Sequence, residues 1–329
     1  AAAKVQGAAI PHPLLSAARW YRRLAEAGIT STTEHAFSTA MAPAYEALAS
    51  VPDSPIRVGL YHAATEPAFT QPFTSKIPEA RLWKAGIKMW SDGTPFNGTF
   101  AASFPYLDNT ITKNAQIPIG PSGDSVMNYT RVQFDAILDQ AAATGMQLAV
   151  HAHGEEGMKR AIRAGVNSIE HGTFMDDEAI ELFKKHGTWY VPTITAGKAV
   201  GDSAKIPGYY PPVVVPKALE TGPQIQKTFA KAYKAGVKIA FGTDAGVFKH
   251  GMNWLEFGYM IEAGMTPMDA IRSATISAAD LLGEKDKLGS IEAGKLADIV
   301  AVDGDPLKDA KSFGKVVFVM KDGMVYKQQ

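Results

Sequence analysis

Residues 146–173, MQLAVHAHGEEGMKRAIRAGVNSIEHGT, constrain this chain more than any other stretch. An apolar run, Leu148-Ala149-Val150, ends in His151 and His153. A helical pattern follows over 155–164, and a second run, Val166 to Ile169, ends in Glu170-His171. Strand, helix, strand with imidazoles at both strand ends predicts a parallel unit, because ligands gather at the carboxyl ends of the strands in parallel sheets and barrels. His151 and His153 alternate with Ala152, so both face the same side of their strand. Imidazoles collected on one rim point to a metal site.

The same alternation runs through most of the chain. Strand patterns occupy 29–33, 56–61, 86–90, 148–150, 166–169, 189–194 and 237–241. Helical patterns occupy 14–27, 42–49, 77–84, 130–144, 155–164, 176–185 (with Asp177 as its cap), 223–235, 254–263 and 267–282. Two Pro-rich segments, 96–128 and 201–223, read as long loops that shape a pocket with Phe100, Phe104, Tyr106, Tyr209 and Tyr210. The period then changes to strands at 299–303 and 316–320, with a hairpin signal at Lys321-Asp322-Gly323. The fold expected is α/β: a (β/α)8 TIM-like barrel over 1–285, one strand short of a closed eight, with a small C-terminal β-sandwich segment over 286–329.

Composition narrows the function classes. Of 329 residues, Lys+Arg and Asp+Glu number 33 each, so nothing favours nucleic acid, which selects basic domains. No apolar run approaches the ~20 residues of a membrane helix, and the start carries no signal-peptide pattern. The expectation is a soluble protein, cytoplasmic, or periplasmic or secreted after removal of an N-terminal segment. With no cysteine, thiolate ligands and a Cys nucleophile are excluded.

Polar residues at successive strand ends are Glu34-His35, His62, Lys88, His151/His153, His171, Tyr190 and Asp244. Taken singly, each has a structural explanation. His35 and His62 are read that way, and His12 and His186 as solvated loop residues. Lys88 either points outward or pairs with Asp92, or it is a desolvated amine beside a metal, able to take up carbon dioxide as a carbamate. Asp244 either caps a Gly-rich turn or belongs to the site.

VHAHG (150–154), IEHGT (169–173), FGTDAG (241–246) and GSIEAGKLADIVAVDGDPL (289–307) resemble the amidohydrolase superfamily over nearly the whole chain. The C-terminal half is similar to its Xaa-Pro dipeptidase and imidazolonepropionase-like branch. GIKMWSDGTPFNGT and PYLDN are similar to its YtcJ-like branch. The resemblance implies Lys88, His151, His171 and Asp244 as metal ligands and Asp244 as general acid and base. It further implies His153, Tyr190 and His250 as substrate contacts. The implied cofactor is one or two divalent ions, zinc by donor chemistry, with a carbamylated lysine. The departure is the absence of a first-strand His-x-His, which Glu34 and His35 would only partly replace.

Three readings follow. The first is a hydrolase of amide or peptide-type C–N bonds in a dipeptide, an N-acyl amino acid or a cyclic amide, with a homo-oligomer allowed. The second is an incomplete or non-catalytic barrel that binds, scaffolds or needs a partner segment. The third, a metal-free barrel enzyme with a Glu34–Asp244 carboxylate pair, leaves the imidazoles and Lys88 without a role.

Overall fold

The computed structural model describes residues 13–51, 54–93, 131–212 and 214–329. Six strands, β1 (Ser31–Phe37), β2 (Arg57–Ala63), β3 (Leu82–Trp90), β4 (Gln147–Ala152), β5 (Ser168–His171) and β6 (Trp189–Val191), pair side by side in chain order, all parallel. Ile239 adds a seventh position through a parallel bridge to Tyr190. The helices between and after them are α1 (Pro13–Glu26), α2 (Ala42–Ser50), α3 (Arg131–Thr144), α4 (Glu155–Ala164), α5 (Asp177–His186), α6 (Ile194–Ala204), α7 (Val215–Lys234), α8 (Leu255–Glu262), α9 (Pro267–Arg272) and α10 (Ala278–Leu281). This is the arc of a TIM-like barrel. The outer edge of β1 has no strand neighbour among the described residues. A three-stranded antiparallel sheet follows: β7 (Ile299–Val302), β8 (Val316–Lys321) and β9 (Met324–Gln328).

Both faces of the barrel strands are covered, so β2 is buried along its whole length and β4 from Leu148 onward. Ile87, Met89, Val150 and Ile169 meet Met158, Ile162, Phe183 and Phe229 in the larger core; Phe37, Val58 and Leu60 pack with Leu24 and Ile56 in a smaller one. Bulges interrupt the pairing near the rim, between Glu34 and Phe37 on β1 and opposite Leu60/Tyr61 on β3. Such bulges re-aim side chains. Gly86 follows the β3 bulge, where a Cβ would lie 2.2 Å from the Gln147 carbonyl, so only glycine lets β3 approach β4.

Several local expectations are corrected. The pattern over 77–84 is not a helix, because Leu82 to Lys84 pair with Val58 to Leu60 and open β3; a short apolar run does not fix its own period. Asp176, not Asp177, caps α5: it is extended and accepts the Ala179 amide at 2.8 Å. The segment 201–223 is largely helical. Pro223 lies inside α7 because Gly197 and Gly222 let α6 and α7 pack at backbone contact, which outweighs one lost hydrogen bond. Residues 237–241 form only the Ile239 bridge, since the Phe241 amide donates at 3.0 Å to Ser273, at the start of a π-turn over Ser273–Ser277. The loop over 96–128, with Phe100, Phe104 and Tyr106, lies outside the described residues, as does His12.

A buried guanidinium joins the two sheets. Arg57, at the start of β2, bonds both oxygens of Asp298, one of them at 2.9 Å, and reaches Asp322 in the β8–β9 turn. Asp298→Ala leaves that buried cation with only the more exposed Asp322 as partner and should cost up to about 3–5 kcal/mol in urea unfolding. The apolar pair Arg57→Met with Asp298→Leu should cost much less. Equal losses in the two would contradict an uncompensated charge as the cause.

Candidate metal centre

β4 and β5 deliver three imidazoles to one point on the rim. The ring centroids of His151, His153 and His171 stand 4.6–4.8 Å apart, with His153 and His171 stacked and His151 edge-on to both. Their ligand-capable nitrogens all lie within 4.8 Å of one another. Each ring is held from behind. His151 Nε2 donates to the Gly93 carbonyl at 3.0 Å, which leaves Nδ1 with its lone pair. His153 Nδ1 meets the Thr173 hydroxyl at 2.7 Å and His171 Nδ1 the Thr193 hydroxyl at 2.8 Å, so both present Nε2. One ring nitrogen tied to protein and the other free is the arrangement metal-binding histidines use.

Burial also sets the charge. It lowers His151 to about 3, helped by Lys88. His153 and His171 are held well below the usual range, by burial first and then by the neighbouring imidazoles and Lys88. Neutral imidazoles are the form that binds a metal. The donor set therefore fits a divalent ion.

Lys88 is buried on β3, with its ammonium pushed down by burial and supported by Glu170 and Asp244. Glu170 is buried, is raised by burial against the pull of Lys88, and accepts from Ser168 Oγ at 2.7 Å. Asp244 is raised chiefly by the protein around it while Lys88 pulls it down. Asp244 is exposed even so, and its backbone is left-handed, φ 53°. The structure thus clusters His151, His153 and His171, with Lys88 and Asp244 near enough for their charges to be felt.

The other two expected site residues stand elsewhere. Tyr190 is fully buried between Phe183 and Phe229, and its hydroxyl donates to the His171 carbonyl at 3.0 Å. It is placed to hold a strained residue. His250 stacks on Trp20 of α1, with ring centroids 5.2 Å apart, beside Arg23. His62 is structural as expected, bonded to Glu66 at 2.9 Å.

Asp92, Thr173, Thr193 and Glu170 are the supports that sequence reasoning missed. The fully buried Asp92 accepts the His153 and Gly154 amides at 3.0 and 2.8 Å, fixing the turn out of β4. In the sequence it reads only as a possible partner of Lys88 in a Ser-Asp-Gly loop. Thr173 stood inside the quoted IEHGT stretch, while nothing local marks Thr193.

The sequence profile of the Amidohydrolase family matches residues 16–326. The chain belongs to the amidohydrolase family. Ochratoxinase of Aspergillus niger is 33% identical over 207 residues, 60% of this chain and 42% of its own length. Imidazolonepropionase of Fusobacterium nucleatum subsp. nucleatum is 28% identical over 173 residues, 51% of this chain and 37% of its own length. These matches thus span less than half the length of the curated relatives. Among solved structures, a Xaa-Pro dipeptidase with methionine bound in the active site superposes with TM-score 0.78 at 38% identity, covering 98% of this chain and 82% of that one. The crystal structure of A. niger ochratoxinase superposes with TM-score 0.71 at 22% identity over 97% of this chain and 77% of that one, a likeness of fold alone. This amidohydrolase shares the barrel those neighbours have, and among its described residues no helix is long and apolar enough to cross a membrane.

A histidine kept neutral in the fold but titrating near 6.5 when unfolded makes the unfolded chain the better proton acceptor between those values. Stability is then complete above pH ~6.5 and drains as pH falls. His151, lowered to about 3, should account for about 2 kcal/mol of the stability that chelator-treated protein loses between pH 7 and pH 5 in denaturant titrations. His151→Gln should reduce the slope by that share, with His153 and His171 supplying the remainder; an unchanged slope would contradict the buried neutral ring.

Proposed function

We propose that this amidohydrolase is a metal-dependent hydrolase that cleaves an amide or peptide-type C–N bond in a small substrate. The substrate classes are a dipeptide such as Xaa-Pro, an N-acyl amino acid or a cyclic amide. The carrying observation is the neutral imidazole cluster, each ring tied at one nitrogen and free at the other. His151 and His171 would hold the ion with Asp244 and with Lys88 as its carbamate; His153 stands beside them as the substrate contact. Imidazole with oxygen donors suits zinc, and also manganese, iron or cobalt, as one or two ions.

A divalent ion bound there supplies Lewis acidity toward the scissile carbonyl and makes water more acidic. Asp244, reached by solvent and raised by its surroundings, takes the proton of the attacking water and returns it to the leaving nitrogen as the C–N bond breaks. The His153 ring hydrogen-bonds the substrate through Nε2, the nitrogen Thr173 leaves free. Burial of Lys88 favours its neutral amine, the form that adds carbon dioxide and releases a proton. Substrate identity by resemblance draws support from the Xaa-Pro dipeptidase likeness.

Protein purified without chelator should carry at least one transition metal per chain. Asp244→Asn should keep the metal and lose at least ~100-fold in kcat/KM on an amide panel. Folded, metal-free wild-type protein would sink the proposal. Loading metal in bicarbonate-free buffer should lower metal content, and added bicarbonate should restore it; indifference to bicarbonate would remove the carbamate. A second reading, a barrel completed by a partner, draws on the edge of β1, which has no strand neighbour among the described residues. A monomer with hydrolase activity would exclude it.

A further inference from the structure

We infer that the turn opening α8, Asn253 to Glu256, is a positioning strut that ties the Asp244 loop to His171, with Glu256 as its principal residue. The role of the strut in catalysis rests on the metal-centre reading above; its geometry does not.

Thr193 immediately precedes α6, where a threonine ordinarily caps the helix with its own hydroxyl. Here it makes no such bond. Its backbone is left-handed, φ 52° and ψ 44°, a costly conformation for a β-branched residue, and its hydroxyl instead meets His171 Nδ1. Glu256 takes over the cap. Fully buried, it accepts the Ile194 amide at 2.8 Å through one oxygen, and the Thr195 amide at 2.7 Å and the Thr195 hydroxyl at 2.5 Å through the other. Delegating the cap to a side chain from another helix frees the Thr193 hydroxyl for the imidazole. His171 is itself left-handed at φ 72°, so two strained residues share one hydrogen bond and need an outside anchor.

The same turn also reaches the carboxylate. Asn253, buried, donates through Nδ2 to Thr243 Oγ1 at 2.8 Å, and Thr243 precedes Asp244 in the chain. The Asn253 carbonyl accepts the Glu256 amide at 3.1 Å, which makes the two contacts one rigid unit. A carboxylate is required at 256 because three donors converge there; a carboxamide would turn an N–H toward one of them. Burial raises Glu256 to about 7 while those donors pull it down.

The test uses the whole chain and zinc and cobalt as probes. Glu256→Gln should weaken zinc binding by about 10–100-fold in chelator competition and shift the visible spectrum of the cobalt-loaded protein. Thr193→Ala should do the same, and Thr193→Ser, which keeps the hydroxyl, should restore wild-type affinity. The double variant Glu256→Gln/Thr193→Ala should be no weaker than the worse single, since both act through one bond. Wild-type affinity and spectrum in Glu256→Gln, or multiplied losses in the double variant, would overturn the strut. If Glu256→Gln does not fold, the Thr193 pair decides alone: wild-type affinity in Thr193→Ala overturns it. If wild-type protein binds no metal, the metal reading fails by itself. The strut is then read from the His171 Nδ1–H resonance, which Thr193→Ala should move and which, unmoved, contradicts it.

Discussion

The rim depends on one kind of contact: a protein oxygen set against one nitrogen of each imidazole. Gly93, Thr173 and Thr193 supply them, from the loop after β3, the loop after β5 and the junction before α6. Without these, three rings buried within 5 Å would be free to flip or to bind one another, and nothing would select which nitrogen faces inward. With them, ring orientation is settled by the fold, the Gly93 carbonyl fixes the His151 tautomer, and burial keeps the rings uncharged. The cost falls on the scaffold. His171, Thr193 and Asp244 all sit in left-handed backbone, and all three belong to the site or support it.

Such strain persists only where the surroundings over-determine it. Tyr190 reaches the His171 carbonyl, Glu256 anchors the residues after Thr193, and Asn253 braces the residue before Asp244. Each of these is buried. Gly172, left-handed as well, faces the Tyr190 ring so closely that a Cβ would fall 2.7 Å from it, so the turn after β5 has room for glycine alone. Away from the rim, Arg57 does for the two sheets what these residues do for the site: it holds separate parts of the chain by a buried polar contact that needs all its partners.

Much of this was legible in the sequence. The strand–helix–strand of 146–173 and the rim position of its histidines follow from period alone, and α4 matches its expected bounds, Glu155 to Ala164. Lys88 was nameable as a lysine inside a short apolar strand, and Asp244 as the carboxylate in the turn after another. What escaped depends on tertiary partners. The pattern at 77–84 hid the start of β3 until β2 paired with it. Pro223 marked a break that packing against α6 overrides. Tyr190 and His250 end or follow strands just as ligands do, and only the packed structure shows one turned inward on His171 and the other stacked on Trp20. Glu256 lies 63 residues from Thr193 in an ordinary amphipathic helix, with no local signal.

The central claim is that the imidazole cluster is a metal centre. Anomalous diffraction at the zinc edge, from crystals of protein purified without chelator, tests it most directly. A peak is expected within coordination distance of the free nitrogens of His151 and His171, with Asp244 and Lys88 closing around it. A clean map with these rings in place and no peak among them, from protein that still hydrolyses amides, would contradict it.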